Sequence, residues 1–117
     1  MAVDPVRITL VPKGADADTA AARQFVLDLK LDTEKGTSTG PFPAFGRIGG
    51  FRKPETLIPF TLMMDGRLDT GAYATDAQRQ AKLEIRNAPL SEGAEIALVD
   101  GDKSETFVVQ TIAKLLD

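Results

Sequence analysis

Asp65 and Asp69 flank a glycine turn in the stretch MDGRLD, and a pair of carboxylates is the minimum equipment for glycoside hydrolysis. Nothing in the sequence fixes their separation, and carboxylates at a hairpin turn ordinarily face solvent. The chain has no histidine and no cysteine. Ser-His-Asp and Cys-His catalysis, thiolate metal ligation and disulfides are therefore excluded within it, leaving carboxylates, Ser, Thr, Lys and the single Tyr73 as reactive groups.

Two other patterns resemble binding loops and fall short of them. Asp100, Asp102 and Ser104 have the spacing of the first three oxygen ligands of an EF-hand, but Glu105 stands where glycine is needed and Thr111 where the bidentate glutamate belongs. A polar hairpin tip is the expectation there, with no metal. The run GRIGG, residues 46 to 50, offers glycine amides beside Arg47, Arg52 and Lys53. Neither phosphate-loop spacing is present and a strand, not a helix, follows, so the expectation is a flexible loop with glycines at positive φ and no cofactor.

Residues 40 to 55, GPFPAFGRIGGFRKPE, hold three phenylalanines and three cations. Phe42, Phe45 and Phe51 either fold back to plug the core or stay exposed as anchors, with Arg47, Arg52 and Lys53 around them; aromatics and Arg are the types enriched at protein interfaces. Charge is uneven along the chain. Residues 1 to 58 carry eight cations and seven anions, whereas residues 59 to 117 carry six and ten. Glu92, Glu95, Asp100, Asp102 and Glu105 face only Lys103 in their stretch, either as a solvated rim or as an acidic surface complementary to the cationic segment of another copy.

The elements that must position these residues are short strands. Val6, Ile8 and Leu10 alternate with Arg7 and Thr9, predicting a strand over 6 to 11. Phe25, Leu27, Leu29 and Leu31 alternate with Asp28, Lys30 and Asp32, the cleanest period of two in the chain. Between them ADADTAAARQ reads as a loop with a possible turn of helix behind Asp16 or Asp18. Residues 56 to 64 are apolar, but Pro59 marks an edge strand or bulge, and Asp65-Gly66 predicts a type I′ hairpin onto 67 to 70. The Thr75-x-x-Gln78 spacing predicts a helical turn over 76 to 80. Leu83 with Ile85, Ile96 with Leu98, and 107 to 112 continue the strands, with a turn at Asp100-Gly101 and a terminal helical turn over 113 to 116.

Residues 35 to 55 are expected to form one long Gly/Pro/Phe loop within a single β domain spanning 1 to 117. With no long amphipathic helix to cross over parallel strands, the expected fold is mostly β, an antiparallel β-sandwich or small β-barrel. The chain of 117 residues, 43% apolar and 26% charged, suits one core. A net charge of -3 has the wrong sign for nucleic acid. No apolar run approaches a bilayer span and no signal pattern opens the sequence, so a cytoplasmic or virion location without a membrane partner is expected.

These features together predict a non-enzymatic binding or structural assembly module. Its aromatic, cationic loop contacts a protein partner, including another copy of itself, as in a virion or secretion machine component. A small-molecule or carbohydrate-binding domain stacking ligands on Phe42, Phe45, Phe51 and Tyr73 is the alternative from another class, though tryptophan is absent. A hydrolase or an accessory enzyme subunit is the third.

Overall fold

Alternation builds the centre of the sheet. In the computed structural model, which describes residues 3–39, 44–49, 57–70, 81–86 and 88–115, strand β1 (Val3–Pro12) buries Val6, Ile8 and Leu10 on one face. Strand β2 (Phe25–Asp32) pairs with it antiparallel, Ile8 opposite Leu27, and buries Phe25, Leu27 and Leu29 on the same side. Both strands form where expected, β1 running longer at both ends.

The connection between them is the helix α1 (Ala17–Arg23). Asp16 is its N-cap, its carboxylate accepting from the Thr19 N–H at 2.7 Å, and that hydrogen bond holds the Asp16 carboxyl below its ordinary value. The cap's contribution is complete above the unfolded carboxylate pKa of about 3.9 and is lost as pH falls through the lower folded value. Hydrogen-exchange protection of the Ala20 amide, which donates to the Asp16 carbonyl, is expected to fall in acid. Asp16→Asn should keep the cap but abolish this pH dependence, since asparagine caps without titrating.

Residues 35 to 55 are not one loop. Strands β3 (Thr37–Thr39) and β4 (Ala44–Ile48) both lie within them and pair in succession with the same edge of β2, β3 at Lys30 to Asp32 and β4 at Phe25 to Asp28. GRIGG is corrected with it: Gly46, Arg47 and Ile48 are strand residues paired on both sides, and of the described glycines there only Gly49 has positive φ. The physical reason is steric. A Cβ on Gly46 would overlap the Val26 carbonyl oxygen and stand 2.7 Å from Leu27 Cα, so glycine is what lets β4 approach β2.

Strand β5 (Ile58–Leu62) pairs with β4 along its whole length, and β6 (Leu68–Asp69) pairs with β5 only at Thr61 and Leu62. The hairpin between β5 and β6 is as expected, but its turn is not type I′. The Gly66 N–H donates to the Met63 carbonyl and the Met63 N–H to the Arg67 carbonyl, making a three-residue loop with Gly66 at φ 91°. Among the described residues no side-chain-bearing residue has positive φ, which type I′ geometry would require of Asp65.

Strand β7 (Lys82–Leu83) pairs with β8 (Glu95–Asp100), and β8 with β9 (Lys103–Lys114). The β8–β9 turn has Gly101 at φ 64° followed by Asp102, the pattern of a type II′ turn. The terminal helical turn expected over 113 to 116 is corrected: β9 stays extended through Lys114, because β1 offers it a ladder as far as Val6, and the Leu115 N–H donates to the Pro5 carbonyl. Residues 116 and 117, like the helix expected over 76 to 80, lie outside the described residues.

The strand order is β6-β5-β4-β2-β1-β9-β8-β7. The two ends of this order meet, since the Leu68 N–H donates to the Ala81 carbonyl at 3.1 Å and the Leu83 N–H to the Gly66 carbonyl at 2.8 Å. The sheet is thus a nearly closed antiparallel barrel, which removes exposed edges. Its interior holds Ile8, Leu10, Leu27, Leu62, Leu83, Ile85 and Phe107, all fully buried. Phe25 links two further rings across it, with centroids 5.0 Å from Phe107 and 5.8 Å from Phe60. No helix among the described residues is long and apolar enough to cross a membrane.

Candidate functional site

The outer face of the barrel carries the one fully described stretch of the aromatic, cationic segment. Along β4 the side chains alternate: Ala44, Gly46 and Ile48 share the barrel face, while Phe45 and Arg47 share the outer face. Phe45 is 63% exposed. Register places it in a continuous cross-strand row that runs Arg7, Asp28, Phe45, Thr61, Asp69 over five strands. The neighbouring row contains Thr9, Val26, Arg47 and Pro59.

The row is polar on both flanks of the ring. Arg7 donates from Nε to Asp28 Oδ1 at 2.8 Å and from Nη2 to Oδ2 at 3.1 Å, a bidentate pair. That hydrogen bonding, and secondarily the Asp28 charge, raises the Arg7 pKa above its ordinary value. On the other flank Phe45, Pro59, Thr61 and Asp69 line a shallow groove of about 460 Å³ beside β5. An exposed ring bordered by a fixed ion pair, a hydroxyl and a carboxylate can bury apolar area against a partner and hydrogen-bond around its rim. Phe42, Phe51, Arg52, Lys53 and Tyr73 lie outside the described residues; Phe45 and Arg47, the two members of the expected contact set that are described, share the outer face of β4.

The acidic residues sit elsewhere. The strands of the β8–β9 hairpin are four and three strands from β4 in an eight-strand circuit, on the far side of the barrel. Glu95 accepts from Lys13 Nζ at 2.7 Å, and Glu105 takes a bidentate pair from Arg23 at 2.7 and 2.5 Å. Glu92 and Asp102 are exposed, whereas Asp100 is half-buried and lines a cavity at the barrel end. The five carboxylates therefore do not act as one patch: two carry intramolecular partners and a third turns inward.

The carboxylates considered for hydrolysis are also separated in character. Asp65 accepts from the Arg67 backbone N–H and pairs with the Arg67 side chain at 2.8 Å, and the backbone bond above all lowers its pKa. A general acid needs the opposite shift. Asp69 projects from β6 onto the outer face beside Thr61. Among the described residues no group of three or more Asp or Glu side chains is placed to hold a metal ion.

A cavity with Thr70 in its wall has no counterpart in the sequence pattern. Thr70 follows a two-residue strand and carries no periodicity to mark it; only the closure of the barrel brings it near α1 and β8.

Fold and surface together define a small antiparallel β-barrel whose outer face presents the Phe45 ring among polar side chains. The chain matches no protein-family model, no curated protein and no solved structure.

Proposed function

We propose that this chain is a non-enzymatic assembly module whose outer β4–β5 face makes a protein–protein contact, with another copy of the chain as the partner. The observation that carries the reading is Phe45, a large apolar ring left 63% exposed in the middle of a paired strand. Its backbone is fixed by ladders on both sides, so the ring is presented with little ordering left to lose on binding. Aromatic anchors flanked by polar groups are the usual centres of binding energy at interfaces.

The opposed placement of β4 and the β8–β9 hairpin favours a head-to-tail contact, in which the Phe45 face of one copy meets the hairpin face of the next. Glu92, Glu95 and Asp102 are exposed acids of that stretch, Glu95 already paired with Lys13, and Phe42, Phe51, Arg52 and Lys53 are proposed as further contact residues from the sequence alone. Heterologous contacts of this kind build rings or filaments, which suits a component of a repetitive assembly such as a virion or secretion machine. The alternative, a carbohydrate platform of Phe42, Phe45, Phe51 and Tyr73, has only Phe45 among the described residues.

Sedimentation of the purified chain tests this. Mass is expected to rise with concentration and to fall with added salt, because charges between copies are screened. Phe45→Ser should abolish the rise while leaving the melting temperature within about 3 °C, since an exposed ring contributes little to folding. A strict monomer at high concentration counts against self-assembly; unfolding of Phe45→Ser counts against the anchor.

A further inference from the structure

Most of the barrel is filled, but one end is not. There the ends of β2, β4, β5, β6 and β8 and the last turn of α1 surround a cavity of about 220 Å³. Phe25, Ile48, Ile58, Leu68, Ala81 and Leu98 give it an apolar wall, broken by three polar residues, Arg23, Thr70 and Asp100. Those three are not equivalent.

Arg23 is already committed to Glu105 through two hydrogen bonds, so the pair adds no net charge. Thr70 is 8% exposed, and among the described residues its hydroxyl has no hydrogen-bond partner. Buried hydroxyls are nearly always satisfied, and an orphan in a cavity wall marks where a ligand atom fits. Asp100 is half-buried and has no ion-pair partner among the described residues; its cross-strand neighbour Lys103 makes none with it. An ionised carboxylate can only accept, whereas a threonine hydroxyl both donates and accepts.

From this combination we infer that the barrel end is a binding site for a small primary amine with an apolar body about the size of one six-membered ring. The size follows from the volume: a dry engineered cavity of about 150 Å³ takes benzene, so this one holds a ring and a short polar arm. The charge follows from Asp100, which gives a protonated amine a counter-charge at the mouth and would repel a carboxylate. Thr70 accepts a second ammonium hydrogen and so loses its orphan status. The site is separate from the Phe45 face, but Leu98 and Asp100 belong to the β8–β9 hairpin that is the proposed counter-face, so the titration uses dilute, monomeric protein.

Titration of the full chain with benzylamine, benzyl alcohol and benzoate, followed by amide chemical shifts, tests the inference. Benzylamine is expected to saturate and to move the signals of Phe25, Thr70, Leu98 and Asp100. Benzoate should bind at least about tenfold more weakly, the span of one charge-assisted hydrogen bond. Asp100→Asn should bring benzylamine down to the affinity of benzyl alcohol while leaving the alcohol within about twofold, because only the charge has been removed. Thr70→Val, close to isosteric, should weaken amine and alcohol alike by about fivefold. Absence of saturation up to about 50 mM benzylamine, well beyond the millimolar range in which fragments of this size bind, overturns the site. So does benzoate binding as tightly as benzylamine, or shifts confined to residues outside the cavity.

Discussion

Phe107→Ala is expected to remove about 3–5 kcal/mol of folding stability, a large share of the 5–15 kcal/mol that holds a domain together. Phe107 is fully buried and sits between Pro12 of β1 and Ile96 of β8, in the middle of the strand order. Its ring lies 5.0 Å from that of Phe25, which in turn lies 5.8 Å from Phe60 on β5. Truncation therefore empties one end of a row of rings that spans the barrel, and strands on both sides lose contacts that they cannot regain without leaving their ladders. Urea unfolding should show a lower midpoint with an unchanged slope. A loss under about 1 kcal/mol would mean that the barrel collapses onto the vacancy, which contradicts packing this tight.

Gly46→Ala should be nearly as damaging although it adds a single methyl group. The added Cβ meets backbone: it overlaps the Val26 carbonyl oxygen and stands 2.7 Å from Leu27 Cα and 2.8 Å from Leu27 Cβ. Backbone cannot rotate aside, so β4 must separate from β2, at a cost of about 3 kcal/mol by the precedent of overpacked cores. Thermal melts measure the loss, and hydrogen exchange should localise it to β2 and β4. Because Phe45 is the residue before Gly46, the same change should also disturb the outer face. Gly93→Ala provides the contrast, since nothing lies within 4 Å of the place a Cβ would take there and its cost comes only from the φ of 93°.

Much of the barrel is legible in the sequence because β1, most of β2 and the middle of β9 alternate buried with more exposed side chains, so their period is written into residue type. β4 is hidden by the same glycine that makes it possible. In Ala44-Phe45-Gly46-Arg47-Ile48 two of the three inward positions carry a small side chain or none, which conceals a period of two among Gly and Pro neighbours. The end of β9 misleads because Ala113, Lys114 and Leu115 favour helix locally, whereas the unfilled edge of β1 decides the matter at long range.

The candidate sites divide in the same way. Phe45 stands out by its type, and its outward position follows from strand parity once β4 is recognised. The row from Arg7 to Asp69 is invisible in the sequence, because it depends on the register of five strands, which no single stretch specifies. The barrel-end cavity depends on closure through two hydrogen bonds between residues 66 to 68 and 81 to 83. Segments that short have no periodicity to read.

The central claim, that the ring at position 45 meets another copy of the chain, is tested most directly by placing p-benzoylphenylalanine at position 45 and irradiating concentrated protein. A covalent dimer is expected, its cross-link mapping to residues 92 to 105 of the second copy. Irradiated protein that stays monomeric, or a cross-link to the chain's own residues alone, would contradict it.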